Sequence, residues 1–166
     1  QFFVYKHRIV YSRSEQVNEI DEIIHPAVRE VFRFMNITEG LEIHHDGDLP
    51  ARSGLGSSSS FTVGLLCTLY ALRGEMITKQ RLALEAIHIE QNMIKENVGS
   101  QDQVSAAFGS FNKISFNVDG SINITPMILG KERLQSLQSH LMLFFTGLSR
   151  FASEIAAEQI NKIPKN

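Results

Sequence analysis

Gly47-Asp48-Leu49-Pro50-Ala51-Arg52-Ser53-Gly54-Leu55-Gly56-Ser57-Ser58-Ser59-Ser60 is the most unusual run in the chain, and the segments on either side are read from it. It opens on turn-forming residues, carries Gly54 and Gly56 two apart, and ends in four serines. Phe61, Leu65, Leu66, Leu69 and Leu72 follow directly as a largely apolar helical pattern that Gly74 closes. A glycine-flanked loop leading into a helix gathers unpaired N–H groups and the positive end of the helix dipole at one place, so it can receive an anion. Gly54 and Gly56 let the backbone approach phosphate closely, and the hydroxyls of Ser57, Ser58, Ser59 and Ser60 add donors. No lysine follows the second glycine, so the run is not a Walker A loop. On residue chemistry alone, a phosphate cradle and an ordinary capped turn stand as equal alternatives.

Upstream, residues 2–12 are rich in aromatic and β-branched types and predict a strand, with 14–18 as a polar connection. Pro26 opens a helix that turns Val28, Val31, Phe32 and Met35 inward and Arg29, Glu30 and Arg33 outward. A short strand is expected over 41–45. Downstream, Thr78 caps a helix with Leu82, Ala86, Ile89 and Met93 on one stripe, ending at Gly99. A short helix over 101–107 follows, then a β-hairpin over 110–125 turning at Asp119-Gly120. Leu134 and Leu137 suggest another short helix, 141–145 a buried strand and 153–160 a final helix. A hairpin set inside a helical series argues for an α+β fold, a mixed sheet with packed helices, rather than a doubly wound parallel sheet.

A chain of 166 residues with 43% apolar content can bury one substantial core. The net charge of -2 and the scattered lysines and arginines leave no electrostatic footprint for nucleic acid or anionic membrane. A small soluble ligand is therefore the expected partner, and a homodimer stays open. The single cysteine, Cys67, excludes an internal disulfide framework and reads as a packed core thiol in a reducing compartment. No stretch approaches a membrane span, and residues 1–8 lack signal-peptide order, so a cytoplasmic location is expected. The chain opens on Gln1 rather than Met and closes on a polar run over 162–166, so both ends are open to reading as ragged edges of a longer protein or of ordered density.

Two acidic residues stand out. Glu90 lies four after Ala86 and three before Met93, on the apolar side of its helix. A carboxylate there needs a partner, either a hard cation such as Mg²⁺ or a nearby Lys79, Arg81 or Lys95. Asp102, just after Gly99, is open to reading as a routine N-cap or as a positioned base. The histidines argue against zinc: His44 and His45 alternate across a strand, and His88-Ile89-Glu90 lacks paired cysteines. Phe111, Phe116, Phe144 and Phe145 read as core, since no basic interleaving makes them a stacking platform.

The run Pro50-Ala51-Arg52-Ser53-Gly54-Leu55-Gly56-Ser57-Ser58-Ser59-Ser60 resembles P-x-x-x-G-L-G-S-S-[AS]-S, the signature of the galactokinase, homoserine kinase, mevalonate kinase and phosphomevalonate kinase (GHMP) superfamily. The resemblance implies an amino-terminal domain like ribosomal protein S5 domain 2, with ATP phosphates held by Pro50, Gly54, Leu55, Gly56 and Ser57 to Ser60. It further implies Mg²⁺ held by Ser58 and Glu90, and Asp102 orienting the substrate hydroxyl or accepting its proton.

Asn18 to Pro26, Phe61 to Leu66, Ala86 to Glu90, Gly99 to Ala107 and Thr146 to Arg150 are similar to bacterial D-glycero-D-manno-heptose 7-phosphate kinases. The implied reaction moves the ATP γ-phosphate to the anomeric hydroxyl of a sugar phosphate, on the route to nucleotide-activated heptose. Arg150, with Arg52 or Arg13, is then a candidate for an anionic substrate or phosphate, with surface arginine as the equal alternative. Residues 1–166 are expected to form one nucleotide-binding domain, with 147–166 leading toward a second. That second domain and the opening strand are missing, so the fragment alone is expected to be inactive. Ser100 departs from the lysine frequent in heptose kinases. A kinase for fucose, galactose or mevalonate, and a non-catalytic binding paralogue, are the competing readings.

Overall fold

β1 (His7–Val10) turns His7 and Ile9 into the core, and the other strands of its sheet assemble on both of its edges. β2 (Ser14–Val17) pairs with it antiparallel, Ile9 opposite Glu15. β3 (Glu42–His44) pairs with it parallel, Ile9 opposite Ile43, to give the order β2-β1-β3. A parallel partner requires a crossover, and α1 (Pro26–Phe34) lies within it. The structure, a computed structural model, describes residues 3–48 and 54–144.

The strand expected over 2–12 is thus confined to β1, and the polar connection expected at 14–18 is itself a strand. Glu15 explains this. Its buried carboxylate accepts from the backbone N–H groups of Ile24 (2.6 Å) and His25 (3.1 Å) and from the Tyr11 hydroxyl (2.8 Å). A polar residue can occupy an inward strand position once its acceptors are met. The same bonds tie β2 to the start of α1. There His25 Nδ1 accepts from the Val28 N–H, and Pro26 sits where its missing N–H costs nothing. Glu30, expected to face outward, is only 5% exposed. Arg29 Nε (3.0 Å) and Arg33 Nη1 (2.6 Å) close over it, and the pairing allows the burial.

α2 (Ser57–Leu72) begins at the first serine, so all four serines lie in its first turn. Val63, Leu66, Leu69 and Tyr70 line its buried face, packed on α1. Cys67 falls on the opposite side of the turn and is exposed, not the core thiol that its apolar neighbours suggested. α3 (Lys79–His88) starts as expected, with Thr78 Oγ1 accepting from the Arg81 N–H at 3.2 Å. It does not run to Gly99. A π turn over Ile89–Met93 replaces it, and Lys95 at φ 64° breaks the helical path.

α4 (Gln101–Phe108) packs against both α2 and α3. β4 (Asn112–Phe116) and β5 (Ile122–Pro126) form the expected hairpin, Phe116 opposite Ile122, with Gly120 at φ 81° supplying the turn. α5 (Lys131–Ser139) is the last described helix. Phe32, Leu66, Leu69, Ile89 and Val104 belong to one core cluster, and Ile114, Ile122 and Ile124 pack on its margin. The buried strand expected over 141–145 does not form over its described part: Leu141 to Phe144 are exposed and outside any strand. Apolar content alone does not bury a segment, and none of the described strands pairs with this one. Phe111 and Phe116, expected in the core, are also exposed at the two ends of β4. Phe145 and the helix expected over 153–160 lie outside the described residues.

Candidate active site

Gly54 and Gly56 both adopt the left-handed backbone conformation, φ 75° and 71°. Side-chain-bearing residues rarely do so, which is why glycine stands at both positions. Gly56 is the N-cap residue of α2, and its carbonyl accepts the first intrahelical bond, from the Ser60 N–H at 2.9 Å. The N–H groups of Ser57, Ser58 and Ser59 thus belong to the unsatisfied first turn, with the positive end of the helix dipole behind them. Leu55, Ser58 and Ser60 are exposed here, whereas Ser59 is buried. Pro50 and Arg52 lie outside the described residues, as does Arg150.

Ser59 reaches inward to Glu90. Its Oγ donates to Glu90 Oε2 at 2.8 Å, and Gln103 Nε2 donates to the same oxygen. Glu90 is 1% exposed and Gln103 0%. Glu90 Oε1 and Gln103 Oε1 are buried without a hydrogen-bond partner among the described residues. The cations considered as partners are engaged elsewhere or turned away. Lys79 donates to the Phe108 carbonyl (2.7 Å), Arg81 pairs with Glu85 (2.7 Å), and Lys95 is exposed.

The π turn presents Glu90 in this position. The Ile94 N–H bonds to the Ile89 carbonyl five residues back (2.8 Å), so the helix widens where the carboxylate sits. Such widened turns recur at functional sites. Glu96 lies close by, its N–H on the Glu90 carbonyl at 3.0 Å. Burial, and then the charge of Glu90, push the Glu96 carboxyl above its ordinary range.

Asp102 occupies the first turn of α4 and is exposed. It is not the N-cap; Ser100 is, and it makes no side-chain cap bond. Asp102 packs instead against the glycine loop. A Cβ built on Gly56 would lie 3.1 Å from Asp102 Cγ and 3.3 Å from Oδ2. The first turns of α2 and α4 therefore meet, with Asp102 on the open side and its neighbour Gln103 reaching the buried Glu90.

Sequence reasoning missed Ser59 and Gln103 as partners of Glu90. A signal was present: Gln103 shares a helix stripe with Ala107, and Ser59 shares one with Val63 and Leu66. Polar residues on apolar stripes ask for a buried acceptor. No cluster of three or more His, Cys, Asp or Glu side chains forms among the described residues. A protein-only metal cage is therefore not on offer there, and a cation at Glu90 would draw its other ligands from hydroxyls and from phosphate. The unpartnered Glu90 Oε1 suits that role.

The family model for the GHMP kinases N terminal domain matches residues 22–110, which include α1 to α4 and every described residue of this site. The chain belongs to the GHMP kinases. Among its relatives is the D-glycero-alpha-D-manno-heptose 7-phosphate kinase of Campylobacter jejuni, 28% identical over 121 residues, 73% of this chain and 36% of that protein. The galactokinase of Pyrococcus furiosus is 31% identical over 121 residues, 72% of this chain and 33% of that protein. The solved D-glycero-D-manno-heptose 1-phosphate kinase from Bacteroides thetaiotaomicron superposes with a TM-score of 0.70 at 23% identity, covering 80% of this chain and 47% of that one. That likeness establishes the α+β GHMP kinase fold. This member of the GHMP kinases spans about a third of the curated relatives and about half of the solved structure. No described helix is long and apolar enough to cross a membrane.

Proposed function

We propose that this chain is the nucleotide-binding part of an ATP- and Mg²⁺-dependent kinase that phosphorylates a sugar or sugar phosphate hydroxyl. The specific substrate we infer is D-glycero-D-manno-heptose 7-phosphate, at its anomeric hydroxyl. One observation carries the reading: the Asp102 carboxylate lies against Gly56, at the start of the helix whose third serine holds Glu90. Phosphoryl transfer asks little covalent chemistry of a protein and depends on positioning and charge stabilisation.

In this reading the N–H groups of Ser57, Ser58 and Ser59 and the hydroxyls of Ser57, Ser58 and Ser60, with the loop from Pro50 through Gly54, Leu55 and Gly56, receive the phosphate oxygens of ATP, while the Ser59 hydroxyl stays on Glu90. Ser58 and Glu90 are the groups that would hold Mg²⁺, whose charge offsets that of the transferring phosphoryl group. Asp102 orients the acceptor hydroxyl and takes its proton as the oxygen attacks. Arg52 and Arg150 are proposed to pair with the substrate phosphate. Residues 1–166 are read as one domain, 147–166 leading toward a second. The likeness to a galactokinase supports a second reading, in which the acceptor is a neutral hexose.

The test uses the full-length protein with ATP and Mg²⁺, offered heptose 7-phosphate, galactose, fucose and mevalonate in turn. Selective turnover of the heptose phosphate is expected. Turnover of galactose alone would support the hexose reading, and ATP binding without turnover of any acceptor would make the protein a binding paralogue. Asp102→Asn is expected to lower kcat by about 10²–10⁴-fold with nucleotide affinity little changed. A near wild-type rate would remove Asp102 from the mechanism.

A further inference from the structure

We propose that Gln103 is a positioning residue for Glu90, and through it for the magnesium nucleotide; this rests on the reading of Glu90 as the metal-holding carboxylate. The geometry that points there is an asymmetric pair of oxygens. Oε2 of Glu90 receives two donors, Ser59 Oγ–H from α2 and Gln103 Nε2–H from α4, while Oε1 receives none among the described residues. Two donors from different helices fix the plane of the carboxylate as well as its position. The lone pairs of Oε1 then have one set direction. A carboxylate that binds a hard cation through one oxygen gains affinity when the other oxygen is held in this way.

The choice of side chain follows from the same contacts. Lysine or arginine at 103 would neutralise Glu90 and compete with a cation. Glutamate would repel it, and an apolar residue would leave Oε2 to Ser59 alone. Glutamine supplies an N–H donor without charge. Its own Oε1 is also buried and unpartnered among the described residues, so the pair leaves two acceptors for a cation and its bound water to satisfy. Because Asp102 is the adjacent residue and packs on Gly56, the Gln103 bond also ties the spacing between α4 and the glycine loop to the position of Glu90.

The test measures binding of Mg²⁺ with a non-hydrolysable ATP analogue to the full-length protein by calorimetry, beside kcat and KM. Gln103→Met keeps the volume and removes the donor. Its Mg²⁺ requirement is expected to rise by about 10–100-fold, with affinity for the metal-free analogue little changed. An unchanged Mg²⁺ requirement in this folded variant would overturn the inference while leaving the kinase reading intact. A wild-type protein that binds no magnesium nucleotide would overturn both.

Gln103→Asn decides the matter if the methionine variant does not fold. It keeps the amide on a side chain one methylene too short to reach Glu90 Oε2, so its Mg²⁺ requirement is expected to rise in the same direction. A wild-type Mg²⁺ requirement in that variant would refute the positioning role.

Discussion

Gly56 and Asp102 stand so close that a methyl group on the glycine would come within 3.1 Å of the aspartate Cγ. Gly54, two residues earlier, has nearly the same backbone conformation but nothing among the described residues within 4 Å of the equivalent point. The pair separates two reasons for glycine. Gly54→Ala meets only the cost of the left-handed conformation, about 1 kcal/mol. Gly56→Ala meets that cost and must also push Asp102 aside. A displacement near 1 Å at a reacting group can cost on the order of 10²-fold in rate. Gly56→Ala is therefore expected to lose far more kcat than Gly54→Ala, at similar losses of thermal stability. Equal rates in the two variants would show that the Asp102 contact is not used.

Ser58 and Ser59 divide along the same lines. Ser59 is buried on Glu90, so Ser59→Ala leaves Oε2 to Gln103 alone and is expected to destabilise the fold by roughly 1–3 kcal/mol. Ser58 is exposed and its hydroxyl makes no hydrogen bond among the described residues, so Ser58→Ala should leave the melting temperature near wild type. Its expected effect is a raised Mg²⁺ requirement for turnover. Thermal unfolding of the apo proteins and Mg²⁺ titrations of rate distinguish the two. A large stability loss in Ser58→Ala would contradict the assignment.

Much of this arrangement was legible in the residues, and the exceptions have specific causes. The helix at Pro26, the Thr78 cap and the Asp119-Gly120 turn announce themselves through local chemistry, and each appears where local chemistry places it. Cys67 was misread because α2 is apolar on nearly every side, so periodicity does not single out its buried face. Glu30 and Glu15 were misread for the opposite reason. Their burial depends on Arg29 and Arg33 in one case and on two backbone N–H groups nine and ten residues away in the other. The link from Gln103 to Glu90 joins two helices, and no local pattern records it.

Glu96 offers a test of the charge stored around Glu90. Its carboxyl is raised above its ordinary value of 4.5 first by burial and then by Glu90. The sign follows: a raised carboxyl favours the folded state only while it is protonated, and that advantage is lost as pH rises through the folded value. Above the ordinary carboxylate range the group therefore opposes folding. Glu96→Gln is expected to raise the melting temperature at pH 7 and to give no such gain near pH 4. A variant equally stabilised at both values would mean that packing, not charge, separates the two side chains.

His7 and His25 make the acid side of the stability profile predictable. Burial lowers both imidazoles from 6.5; Lys6 lowers His7 further against Glu19, and Glu15 opposes the shift at His25 while His45 adds to it. Each ring uses Nδ1 as an acceptor, His7 from the Leu41 N–H and His25 from the Val28 N–H that caps α1. Protonation removes that acceptor. Below about 6.5 the unfolded chain binds protons that the folded chain refuses, so stability falls with falling pH until the folded values are reached. The melting temperature should drop by roughly 2–4 °C for each kcal/mol lost between pH 7 and pH 5. His25→Asn keeps a capping oxygen without a titrating group, so it should flatten part of that slope. A slope unchanged in His25→Asn would assign the acid loss to His7, and His7→Gln would then have to remove it.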